Sequence, residues 1–179
     1  MPQEKNIFVI IGSASKHSAN EQLMEYFEKL TEDFFRVTIF ADLKTLPPFD
    51  PELSTDHPPK EITAFRNSIE KADGIVICTP EYIFSIPSGL KNAIEWCVAT
   101  TALSDKPLGI ITASAHGQRG HEELQLIMKT VMAKFTDETT LLIQGIKGKI
   151  NSNGQITHEK TTDDFANFIH AFKGLINQG

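Results

Sequence analysis

Small hydroxyl-bearing and aromatic side chains gather at three places in this chain, each directly after a short apolar run. The first is Gly12-Ser13-Ala14-Ser15-Lys16-His17-Ser18-Ala19-Asn20, which leads into a helix-like pattern. The opening turn of a helix leaves backbone amides unpaired, so Ser13, Ser15, Ser18 and Asn20 beside such amides, with Lys16 among them, have the chemistry of a phosphate cradle. The second is Thr79-Pro80-Glu81-Tyr82-Ile83-Phe84-Ser85-Ile86-Pro87. Two prolines fix its ends, and the six residues between them carry Tyr82 and Phe84, rings that a solvated connector does not need. The third, Ser114-Ala115-His116-Gly117-Gln118-Arg119-Gly120, combines a hydroxyl with two glycines that let backbone come close to a ligand.

Other chemistries lack their residues. His17, His57, His121, His158 and His170 show no pairing at metal-ligand spacing, and His116 reads as a surface or capping residue as readily as a site residue. There is no Gly-x-Ser-x-Gly elbow, and Ser85 and Ser88 near Glu95 make no hydrolase triad. A net charge of -6 leaves no basic surplus for nucleic acid or an anionic membrane surface, so any phosphate must be held locally. Cys78 and Cys97 both fall in apolar patterns and read as small core residues, which fits a reducing, cytoplasmic compartment. No apolar stretch approaches the ~20 residues a membrane span needs, and Met1 to Lys5 leads into nothing resembling a signal segment. We therefore expect a cytoplasmic protein.

The three clusters need a scaffold to bring them together. Asn6 to Ile11, Phe35 to Phe40, Gly74 to Cys78, Leu108 to Thr112 and Leu141 to Ile143 are short runs rich in branched apolar residues, the pattern of buried strands. Between and after them come helical stripes: Leu23, Phe27 and Leu30, with Asn20 as cap; Ile62, Phe65 and Ile69; Leu90, Ile94 and Cys97 or Val98, with Trp96 off the line; Leu124, Ile127, Met128 and Val131; and Phe165, Phe168, Ile169 and Phe172, capped by Thr161 or Thr162. Ala41 to Pro59 reads as one long proline-rich loop, and Asn153-Gly154 marks a tight turn. Five strands alternating with five helices predict an α/β fold with a parallel sheet covered on both faces. With no Gly-x-Gly-x-x-Gly after the first strand, the flavodoxin-like strand order 2-1-3-4-5 is expected. The composition suits one globular core, so residues 1–179 are expected to form a single domain.

In that order the strands preceding the three clusters are neighbours, and ligands of open α/β sheets bind at the carboxyl ends of such strands. A phosphate clamp beside a flat-ring slot describes a mononucleotide with a large heterocycle, and FMN fits both ends.

The same residues resemble a known family, the NAD(P)H-dependent FMN reductases that include quinone, chromate and azo-dye reductases. Residues 12–20 are similar to its phosphate loop Gly-Ser-x-Arg-x-x-Ser-x-Asn. Residues 79–87 and Leu90-Lys91-Asn92-Ala93-Ile94-Glu95-Trp96 are similar to its Thr-Pro-Glu-Tyr-Asn-x-Ser-x-Pro and Leu-Lys-Asn-Ala-Ile-Asp-Trp signature. The resemblance implies that Ser13, Ser15, Ser18 and Asn20 bind the FMN phosphate, that Pro80, Glu81, Tyr82 and Ile83 line the ring, with Phe84 beside them, and that Ser114, His116 and Gly117 close the other side. It also implies NADPH or NADH as co-substrate, a small acceptor such as a quinone, and a homodimer or homotetramer built partly on the helix from Leu90 to Trp96. Three positions depart from the family pattern. Ser15 stands where the family has arginine, leaving Lys16 or His17 as substitute charges, and Ile83 and Phe84 stand where it has asparagine and often glycine. The expected function is hydride transfer from NAD(P)H to FMN and on to the acceptor; a flavin-binding electron carrier or redox sensor, or a scaffold that has lost FMN, are the other readings.

Overall fold

Along Lys5–Ile11 (β1) successive side chains enter two different cores, and that alternation defines the layers. Phe8 and Ile10 pack on one face; Ile7, Val9 and Ile11 pack on the other. The computed structural model describes residues 4–178, so Met1 to Gln3 and Gly179 of the expected domain lie outside them.

β1 pairs in parallel with Phe35–Phe40 (β2) and with Gly74–Thr79 (β3). β3 pairs with Leu108–Ser114 (β4), and β4 with Thr140–Gln144 (β5), so the order is 2-1-3-4-5. β3 and β4 are buried along their whole length, which is why they read as continuous apolar runs.

One face is covered by Ala19–Thr31 (α1) and Glu159–Asn177 (α6), through Leu23, Met24 and Phe27 and through Phe165, Phe168 and Phe172. Each of those four phenylalanines is fully buried and contributes on the order of 2 kcal/mol of hydrophobic stabilisation. Lys60–Lys71 (α3), Ser88–Glu95 (α4) and Gln118–Thr130 (α5) cover the opposite face. The remaining helix, Pro51–Asp56 (α2), lies inside the stretch expected to be a plain loop. Asp50 caps it by accepting from the Glu52 and Leu53 amides, and Pro51 supplies its first turn.

Several local expectations are corrected. The α1 cap is Ser18, whose hydroxyl accepts from Glu21 N, and Asn20 sits inside the helix. Leu30 is exposed, because the buried stripe runs Leu23, Met24, Phe27 and Thr31. α6 is capped by the His158 ring accepting from Thr161 N, rather than by a threonine. Trp96 is fully buried and Val98 is exposed, since the helix ends at Glu95 and the chain turns there.

Asn92 and Trp96 are four residues apart and face the same way. Asn92 accepts from Phe49 N at 2.7 Å and donates to Pro47 O at 3.0 Å, and Trp96 Nε1 donates to Pro47 O at 2.8 Å. The polar residues of this signature are therefore engaged within the chain, tying the proline-rich segment to α4. Among the described residues no helix is long and apolar enough to cross a membrane.

Candidate cofactor site

The loops after β1, β3 and β4 meet at the carboxyl edge of the sheet, as strand adjacency requires. Gly12 makes the closest approach possible: a Cβ there would collide with the Thr79 side chain at the end of β3. From Gly12 the chain crosses the top of the sheet and enters α1. Asn20, the second residue of that helix, is buried; its amide donates to Ala113 O at 3.1 Å and its oxygen accepts from the Cys78 thiol at 3.3 Å. It thus anchors α1 to the ends of β3 and β4. Burial alone pushes the Cys78 thiol far above its ordinary range, so this group stays protonated and acts as a donor.

A cavity of about 640 Å³ opens between these loops. Ser13, Ser15, Lys16 and Ser18 from the loop after β1 form one wall, Pro80, Glu81 and Tyr82 another, and Ala113, Ser114 and Ala115 a third. The fourth wall is the turn Gly145 to Gly148 after β5, including Lys147. Sequence reading missed this turn because no motif marks it; only the sheet order brings it to the site. Among the described residues the amides of His17, Ser18, Ala19 and Asn20 meet no protein acceptor, and they lie at the start of a 13-residue helix. Free helix-terminal amides, three serine hydroxyls and two ammonium groups around one cavity fit the phosphate of a mononucleotide, and the wall between β3 and β4 fits its ring.

The β3 loop is fastened by two carboxylates working in opposite directions. Glu81 reaches from the loop to the start of α5, where its carboxylate accepts from Gly120 N at 2.8 Å and Gly117 N at 3.3 Å. It caps a helix whose own cap residue, Gly117, has no side chain and a φ of 91°. Gly120 eases this contact, because a Cβ would sit 3.3 Å from Glu81 Cβ and 3.4 Å from Ser85 O, a tight fit against the side chain it receives. Glu123, one turn further along α5, reaches back: its Oε2 accepts from Ser85 Oγ at 2.7 Å and Ile86 N at 2.9 Å. Glu81 N also donates to Ser114 Oγ at 3.2 Å, joining the second and third loops directly.

Between these fastenings the chain makes a two-residue turn. Tyr82 N donates to Ser85 O at 2.9 Å and Ser85 N to Tyr82 O at 3.1 Å. Ile83 and Phe84 at its tip have φ values of 51° and 60°. L-residues avoid this region by roughly 1–2 kcal/mol each, and a β-branched residue there is exceptional. Ile83 is 95% exposed and Phe84 75%, and neither is among the residues that bound the cavity. Tyr82 is 39% exposed and lies between the 640 Å³ cavity and a second one of about 430 Å³ bounded by Ala41 to Lys44 and Pro87 to Gly89. Its hydroxyl stands 3.4 Å from Ser13 Oγ and from Ala14 N. His116 is exposed and outside both cavities, and Gly117 contributes through its amide to Glu81 rather than to the cavity wall.

Residues 6–147 match the sequence model of a family described as NADPH-dependent FMN reductase. CrdA, a subunit of an NADH:(hydroxy)cinnamate reductase from Vibrio ruber, is 31% identical over 161 residues, covering 86% of this chain and 78% of that protein. A quinone reductase from Escherichia coli is 27% identical over 185 aligned positions, covering 99% and 98%. Among solved structures, FerB from Paracoccus denitrificans, a flavoenzyme NAD(P)H:(acceptor) oxidoreductase, superposes with a TM-score of 0.81 at 26% identity, covering 97% of this chain and 98% of that one.

Proposed function

Since the chain belongs to the NADPH-dependent FMN reductase family, we propose that the 640 Å³ cavity holds FMN and that the protein passes electrons from NAD(P)H to a small acceptor of the quinone type. The observation that carries this reading is the joining of four loops around one cavity, with an anion-binding helix start at one end and an aromatic, hydroxyl-lined slot at the other.

The chemistry FMN supplies when bound is a two-electron relay, by which NAD(P)H, a proton and a quinone become NAD(P)⁺ and a hydroquinone. The chain's residues bind and orient. Ser13, Ser15, Lys16, Ser18 and Lys147 with the free α1 amides hold the phosphate; Pro80, Glu81, Tyr82 and Ser114 frame the ring. The Asn20 side chain acts by fixing the position of α1, while its backbone amide is one of those that hold the phosphate. No side chain is assigned as a proton donor, because the slot opens to water.

The whole chain working as one FMN-binding unit, in a homo-oligomer and in the cytoplasm, completes the reading. Cys78 and Cys97 are both buried and unpaired, which suits a reducing compartment. The test is an anaerobic titration of FMN-loaded protein with NADPH and then NADH, following the visible flavin absorbance. Bleaching of the oxidised band is expected. Flavin that stays oxidised with both nucleotides would replace this reading with that of a carrier or sensor.

A further inference from the structure

Two apolar side chains held in the left-handed region and turned into solvent are a poor arrangement for a connecting loop. Asparagine or glycine would make the same turn without strain. Here the turn is instead enforced from outside, by Glu123 accepting from both Ser85 Oγ and Ile86 N through one oxygen and by Glu81 gripping the start of α5. Tyr82 lines the cavity and is hydrogen-bonded to Ser85 across the turn, so the exposed Ile83-Phe84 tip directly adjoins that wall.

We propose that the Ile83-Phe84 turn is the acceptor-selecting rim of the flavin slot, with Phe84 the stacking surface for a planar aromatic acceptor, and that Glu123 is the positioning residue that holds it there. The inference rests on the reductase reading above. A flat acceptor lying in an open slot leaves part of its ring in water, and an aromatic side chain fixed at the rim covers it. Stacking of this kind is worth about three- to ten-fold in affinity. An acceptor without a ring gains nothing from it.

Steady-state turnover of the FMN-loaded protein is measured with 1,4-naphthoquinone and with ferricyanide, which needs no ring contact. Phe84→Ala is expected to raise KM for the naphthoquinone about three- to ten-fold, with little change in kcat, and so to lower the naphthoquinone-to-ferricyanide ratio of kcat/KM. Glu123→Ala is expected to lower the ratio similarly and to add little in the Phe84→Ala background. Glu123→Gln should restore the wild-type ratio, because a single amide oxygen accepts both hydrogen bonds. Phe84 is exposed, so Phe84→Ala folds and carries the test even if Glu123→Ala does not. An unchanged ratio in Phe84→Ala, or Glu123→Gln behaving like Glu123→Ala, overturns the proposal. So does a fall in the mass of Phe84→Ala by light scattering, which would assign the ring to contact with a second copy. A wild-type protein that turns over neither acceptor fails the reductase reading instead.

Discussion

At Ser15, where the phosphate-loop pattern that this stretch resembles carries arginine, the chain has no fixed charge, and two lysines line the same cavity. Lys16 lies beside it on the same loop, and Lys147 faces the loop from the turn after β5. The loss of arginine was legible in the sequence because it interrupts a recognisable motif; Lys147 was not, since it lies 132 positions away from Ser15 in the numbering and no local pattern connects them. If these lysines carry the phosphate charge, Lys147→Ala weakens FMN binding and Ser15→Arg strengthens it. A charge-assisted hydrogen bond contributes about 1.5–3 kcal/mol, so Ser15→Arg is expected to tighten FMN about ten-fold or more and to offset Lys147→Ala. Fluorescence titration of FMN at two salt concentrations measures both effects, and a Lys147→Ala protein with wild-type affinity and salt dependence would place the phosphate away from that turn.

At the level of elements, what could be read in advance was what periodicity encodes. β3 and β4 are buried on both faces and show as unbroken apolar runs, while α3 shows as the stripe Ile62, Phe65 and Ile69. The short helix α2 was hidden, because six residues among prolines hold too little periodic signal and the helix depends on a partner elsewhere. That partner is Arg66, a buried charge on α3. Its guanidinium donates to Ser54 O at 3.0 Å, to Ser54 Oγ at 2.8 Å, and through Nε to Trp96 O at 2.8 Å, so one fork joins α2 and the end of α4 to α3. Arg66→Ala leaves those carbonyls without donors and is expected to cost about 3 kcal/mol, lowering Tm by about 6–12 °C. Arg66→Lys should recover little, since an ammonium cannot span the same acceptors. A thermal melt of the two variants decides this; near-wild-type stability of Arg66→Lys would show that charge rather than the planar fork is what the site needs.

Across the whole molecule, sheet order turned separate motifs into one site, and order was readable because the missing dinucleotide glycine pattern and the run of strands favoured a single topology. What remained unreadable was how the elements are locked behind the site, where buried polar contacts cross between strand and helix. His121 on α5 is such a lock: its Nδ1 stands 2.8 Å from Thr112 Oγ1 on β4, two residues before Ser114. Burial lowers its pKa below the ordinary imidazole value, against a smaller opposing effect of Glu122. In the unfolded chain the ring takes up a proton near its ordinary pKa of about 6.5, while folded His121 stays neutral to lower pH. The unfolded state then binds more protons, so stability is fully present above that value, is lost as pH falls through it, and levels off once folded His121 is protonated as well. The expected result is a Tm that declines between about pH 7 and pH 5.5, above the range in which carboxylates titrate. His121→Asn, which keeps a polar atom near the Nδ1 position, should be less stable at pH 7 but show a flatter decline over that interval. Parallel Tm curves for the two proteins would mean that the acid sensitivity arises elsewhere and that His121 ties α5 to β4 without responding to protons.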